Sequence, residues 1–126
     1  MKGYKVNIAF ASKDLSAKER IMIKETGDAQ SLDALTLDGP VVIGYACHAI
    51  LDIHNEKSSS KDYRKVVVMD KEGLKYATGS EAFLDSLTDI VDEMTEAGEG
   101  DNIQLKVYRK ESKNYAGKSF ITCSLI

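Results

Sequence analysis

Tryptophan is absent, proline occurs once, at Pro40, and the only cysteines, Cys47 and Cys123, stand far apart within apolar runs. Without a Cys-x-x-Cys pair, neither a structural zinc knuckle nor a dithiol redox motif is encoded, and both thiols are expected to be reduced and buried as small hydrophobes. No run approaches the ~20 apolar residues of a membrane span. The N-terminal segment Met1-Lys-Gly-Tyr-Lys-Val-Asn7 alternates where a secretory leader would carry an apolar block. An intracellular, cytoplasmic protein is expected. Catalytic signatures are missing as well. There is no Walker loop, no Gly-x-Gly-x-x-Gly and no Ser-His-Asp order, and Gly98-Glu-Gly100 follows a predicted helix, whereas a phosphate cradle precedes one. No enzyme activity and no cofactor are expected.

What is present is the composition of one soluble domain: 126 residues, 43% hydrophobic and 29% charged. At this length about two-thirds of the unfolded surface can be buried, so a core forms without disulfide or metal. The net charge of -3 is unevenly spread. Residues 80–101 hold eight acids and no base, so the seventeen bases and twelve acids elsewhere leave the rest of the chain at +5. That balance permits a polyanionic partner despite a pI near 5.4.

Tyr4, Val6, Ile8 and Phe10 alternate with polar or small residues, the two-residue period of a half-buried strand. Ile21 and Ile23 suggest a second strand after a polar connection, predicting an N-terminal β-hairpin extension over residues 1–39. A helical turn is expected between Asp28 and Leu35, closed by Asp38-Gly-Pro40. From 41 to 53 every odd position is apolar, predicting one long strand with a continuously buried face and, at Gly44, a bend that lets it serve two sheets. Tyr63–Met69 and Leu74–Thr78 make a hairpin about Asp70-Lys-Glu-Gly73. Ser80 caps a helix whose apolar stripe is Phe83, Leu87, Ile90, Val91 and Met94, with the acids on its solvent side. Ile103–Tyr108 and Phe120–Ile126 form the last hairpin. Strand, hairpin, helix, hairpin over residues 40–126 is the element order of the OB-fold, a five-stranded Greek-key barrel, so the fold class expected is mainly β with one main helix.

In that fold the loops 55–62 and 109–118 flank one face; the second is basic, and Lys57, Lys61, Arg64 and Lys65 make the first basic as well. Lys57, Lys61, Arg64, Lys65, Lys106, Arg109, Lys110, Lys113 and Lys118 are candidate phosphate partners. Tyr63, Tyr76, Tyr108 and Tyr115 are candidate platforms for unstacked bases, the combination that single-strand binding needs. His48, Asp52 and His54 fall on one strand face without a fourth ligand nearby, so they are expected to be ordinary surface residues and not a metal site.

Two stretches, Lys65-Val-Val-Val-Met-Asp-Lys-Glu-Gly-Leu-Lys-Tyr-Ala-Thr-Gly-Ser-Glu-Ala-Phe83 and Lys106-Val-Tyr-Arg-Lys-Glu-Ser-Lys-Asn-Tyr-Ala-Gly-Lys-Ser-Phe-Ile-Thr-Cys-Ser124, resemble small single-stranded DNA-binding proteins of phages and mobile elements of Gram-positive bacteria. The resemblance implies an OB-fold, single-stranded DNA as partner, a role in phage replication or recombination in the host cytoplasm, and contact with other replication or recombination proteins. Self-association is expected, because one OB-fold covers only a few nucleotides. Unlike better-known bacterial single-strand binders, the sequence has no Gly/Pro/Gln-rich tail and no tryptophan, so stacking falls to tyrosine and phenylalanine. The alternative is a phage-derived interaction module or host-factor inhibitor that uses the acidic helix face.

Overall fold

The structure, a computed structural model, describes residues 3–57, 61–111 and 119–126. It is mainly β, with three α-helices and a curled, half-barrel sheet. Strand β1 spans Tyr4–Ala11, helix α1 Ala17–Lys24, strand β2 Gln30–Ser31 and the single turn α2 Leu32–Leu35. There follow β3 (Val41–Asn55), β4 (Asp62–Asp70), β5 (Lys75–Thr78), α3 (Glu81–Glu96), β6 (Gln104–Glu111) and β7 (Ser119–Leu125).

The long strand organises everything else. Its odd positions from Ile43 to Ile53 are all buried, as the alternation predicts. Val41–Gly44 pair with β6, while Tyr45–His54 pair with β4. The change of partner falls at Gly44, and the register with β4 slips between Tyr45 and Cys47, which places the bulge immediately after the predicted bend. Two antiparallel arms therefore grow from one strand, β3-β4-β5 and β3-β6-β7. At the hairpin between β4 and β5, Gly73 takes φ +88° and donates to the Asp70 carbonyl, a conformation open to glycine.

Helix α3 starts where predicted. The Ser80 hydroxyl accepts from the Phe83 amide, and Gly98, at φ +76°, ends the helix. Phe83 and Leu87 are fully buried in the main core with Ile43, Val68, Leu105 and Val107, each contributing roughly 1.5–3 kcal/mol. Ile90, Val91 and Met94 pack at its margin. A second core of Ile23, Ala49, Leu51, Ile53, Val67 and Ala77 covers the opposite face of β3 and β4. Both faces of β4 are consequently apolar at Val66–Val68.

The N-terminal hairpin is not formed. Residues Ala17–Lys24 are a helix because Ser16 and Glu19 make a capping box: the Ser16 hydroxyl accepts from the Glu19 amide and the Glu19 carboxylate from the Ser16 amide, satisfying two donors that a strand would need to pair elsewhere. Ile23 then points into the second core. Strand β1 pairs antiparallel with the far half of β3, Val6 opposite Ile53 and Ile8 opposite Leu51.

Among the described residues the two arms do not close on each other; the sheet order ends at β7 on one side and at β2, parallel to β5, on the other. The turn α2 spans the gap. Leu32 enters the main core, the Asp33 carboxylate accepts from the Thr78 hydroxyl on one arm, and the Asp33 carbonyl accepts from the Arg109 guanidinium on the other. Among the described residues no helix is long and apolar enough to cross a membrane.

Candidate nucleic-acid interface

The β3–β4 connection follows the C-terminal end of β3 and the β6–β7 connection lies beyond its N-terminal end, but the curl of the sheet brings the starts of β4 and β7 to the start of α3. The Arg64 carbonyl lies beside Gly79, the Ser80 hydroxyl donates to the Ile121 carbonyl at 3.0 Å, and Ile121 pairs with Arg109. The residues predicted as a nucleic-acid site thus form two groups flanking the start of α3.

On the first group, several cations already have partners. Lys61 pairs with Glu56 at 3.4 Å, and Arg64 donates to Asp52 at 3.0 Å. His54 bridges Asp62 and Glu56 at 2.7 and 2.6 Å, which holds its pKa above the ordinary value. Asp52, Arg64, His54 and Asp62 border a cleft of about 450 Å³ lined also by Asn7, Ile53 and Tyr63. Tyr63 is half-buried against the second core, Lys65 is half-buried, and Lys57 is exposed. Glu81 and Asp85 lie against Tyr63 and Arg64 in a neighbouring depression, so negative charge separates this group from the second.

The second group is more open. Strand β6 runs to Glu111, so Arg109 and Lys110 belong to the strand and not to the loop in which the sequence placed them. Alternation puts Lys106, Tyr108 and Lys110 on one face, where they pair with Ser124, Thr122 and Phe120 of β7. The Lys106 ammonium lies 5.7 Å from the Tyr108 ring centre, and the Tyr108 hydroxyl shares a hydrogen bond with Ser124 at 3.0 Å. Val42, 60% exposed, is opposite Lys106 and continues the same face. Among the described residues no ion pair involves Lys57, Lys106 or Lys110. Val42 and Phe120 were not singled out from the sequence, although the two-residue period of their strands carries them to this face.

Two predicted residues are used inside the fold. Arg109 points the other way, donating to the Asp33 carbonyl at 2.6 Å and the Ser119 hydroxyl at 3.2 Å. Tyr76 is 8% exposed and packed in the main core, which leaves little ring for a base. Lys113, Tyr115 and Lys118 lie outside the described residues.

His48, Asp52 and His54 do not form a common site. His54 and Asp52 hold other partners, and His48 is buried. Among the described residues no group of three or more His, Cys, Asp or Glu is arranged to hold a metal ion. Both cysteines are free and buried, and burial raises both thiol pKa values, that of Cys123 to about 12. Compared with known proteins, the chain matches no family model, no curated protein and no solved structure.

Proposed function

We propose that this protein is a non-enzymatic single-stranded nucleic-acid-binding protein, with DNA as its substrate, built on an OB-like arrangement of β3–β7. The observation that carries the proposal is the face of β6 and β7 on which Lys106, Tyr108 and Lys110 alternate, with Phe120 beside them and only Thr122, bonded to Ser86 of α3, covered. Ammonium groups for phosphates, spaced by aromatic faces for bases, are what a sequence-tolerant single-strand binder needs. The strand pairing supports the OB-like part of the proposal. A first strand shared by two hairpin arms, with the helix between them, has the connectivity of that fold, and here α2 and Arg109 occupy the seam that a closed barrel would seal by strand pairing.

Contact begins on the β6–β7 face and extends to the loop that joins these strands. Lys57 and Lys65 supply a flanking contribution. Lys61 and Arg64 are recruited only by exchanging a carboxylate for a phosphate, which makes them weaker contributors than the sequence implied. Several copies along one strand, and a place in phage replication or recombination, belong to the same proposal.

The test is a titration of fluorescent oligo-dT across a salt series, with a duplex of equal length as comparison. With four to five phosphates neutralised, log K against log salt should slope near -3, at ~0.7 per contact for single strands. Duplex should bind more weakly, because its bases stay stacked. An affinity that does not change with salt, or a preference for duplex, overturns the proposal.

A further inference from the structure

Between the end of β1 and the flank of α3 lies a cavity of about 310 Å³ lined by none of the residues proposed to contact DNA. Phe10, Ser12 and His48 line one wall, and Val91, Asp92 and Glu96 the other. His48 is 3% exposed. Its Nδ1 shares a proton with the Tyr45 hydroxyl at 2.6 Å, and its Nε2 has no hydrogen-bond partner. A buried, unpaired ring nitrogen is costly unless something in the adjoining space satisfies it.

Asp92 and Glu96 stand one helical turn apart on the same wall, and neither belongs to an ion pair among the described residues. Among the described residues no lysine or arginine lines the cavity. Phe10 is 50% exposed, with its ring 5.7 Å from the imidazole, so an apolar surface accompanies the acceptors. A ligand suited to this wall brings several N–H donors on a cation and an aliphatic stem.

We infer that this cavity is a docking site for an arginine side chain presented by a protein partner, held by Asp92, Glu96 and the His48 Nε2 and covered by Phe10 and Val91. A guanidinium matches it better than an ammonium. Its five N–H donors lie in one plane and can engage several acceptors at once, and it is more weakly hydrated, so it enters a partly enclosed apolar space at lower cost. Its methylene stem packs on Val91 and stacks against Phe10. The neutral imidazole can offer a lone pair at Nε2, because the Tyr45–His48 proton can sit on the Nδ1 side, with the phenol oxygen accepting. Charge complementarity selects the partner: residues 80–101, α3 and the turn after it, carry eight acids and no base, a surface that repels a nucleic-acid strand and attracts a basic polypeptide.

The experiment is an NMR titration of the intact chain with N-acetyl-argininamide, following the His48 ring and the Phe10 and Val91 resonances. Parallel titrations use N-acetyl-citrullinamide, N-acetyl-lysinamide and guanosine. Saturable shifts at those three residues are expected with the arginine probe, with much smaller shifts for the uncharged citrulline probe. The paired substitution Asp92→Asn/Glu96→Gln, checked for fold by its amide spectrum, should weaken binding by about tenfold or more, since two charge-assisted contacts become neutral ones. His48→Gln should weaken it independently, and oligo-dT binding should stay the same in both variants. Equal binding of the lysine probe, preferential binding of guanosine, or shifts that persist in the paired variant would each overturn the assignment. Because the readout is arginine binding, failure of the DNA proposal leaves this test intact.

Discussion

Lowering the pH should destabilise the protein through His48 before its carboxylates protonate. The imidazole is buried, and burial pushes its pKa from 6.5 down to about 4, with Asp92 opposing that shift only in part. The unfolded chain therefore binds a proton at this residue at higher pH than the folded one. Between about pH 6.5 and 4 stability falls as pH falls, and above 6.5 His48 contributes no pH dependence. Near pH 5 the loss amounts to about 2 kcal/mol, from a shift worth about 1.4 kcal/mol per pH unit. The other perturbed groups act in different windows. The raised pKa of His54 adds stability that is full below 6.5 and is lost as pH rises through its folded value, the opposite sign. Glu19, Asp28 and Glu56, all lowered, lose their contributions only as pH falls through folded values below the ordinary carboxylate range. Urea denaturation at half-unit pH steps, compared between the wild type and His48→Gln, isolates the effect. The variant starts less stable because Tyr45 loses its partner, so the slope is the measurement. A slope between pH 6.5 and 5 as steep in the variant as in the wild type, or a His48 ring that titrates near 6.5 by NMR, would refute the reasoning.

Lys75 is 6% exposed, and its ammonium donates to the carbonyls of Met22 and Glu25 at 2.5 and 2.7 Å and pairs with Asp28, so Lys75→Met should lower the unfolding free energy by about 2 kcal/mol in a urea titration. Ser16→Ala removes the capping box of α1 and should cost about 1 kcal/mol by the same assay, with faster amide exchange confined to the start of that helix. Lys110→Glu should weaken oligo-dT binding and flatten the salt slope by about 0.7, while leaving stability within about 0.5 kcal/mol of wild type. Tyr108→Ala should remove ~1–3 kcal/mol of binding with the salt slope unchanged, because it loses a stacking face and not a charge.

The elements most legible in the sequence were those with one uniform environment along their length. The odd positions of β3 are buried for a dozen residues, facing one core before the bulge at Tyr45–Cys47 and the other after it, and α3 pairs a serine cap with a stripe at helical spacing, so periodicity alone located both. The segment Ala17–Lys24 misled because only Ile21 and Ile23 stood out, two residues apart, yet Ile21 is 60% exposed and Ile23 fully buried, so they never shared a face. The Ser16-x-x-Glu19 spacing was the local signal that outweighs so short an alternation.

The site was less legible than the fold, for a reason that applies to its cations one at a time. Whether a lysine or arginine is available to a phosphate depends on which acceptor the tertiary structure brings within reach. Strand pairing set Arg64 opposite Asp52, twelve positions away, and the turn α2 brought the Asp33 carbonyl to Arg109 from 76 positions away. No local pattern contains either distance. Lys106 and Lys110 are exposed at the two ends of a face that α3 reaches only at its middle, where Ser86 bonds Thr122, and Arg109, between them, was captured because it points the opposite way. A charge count over the stretch treats these three as equivalent, whereas the two-residue period of the strand already separates them. Extending β6 through Glu111 is therefore the step that turns a generic basic loop into a face of defined polarity: it leaves Lys106 and Lys110 free for the phosphate contact proposed above and commits Arg109 to closing the seam.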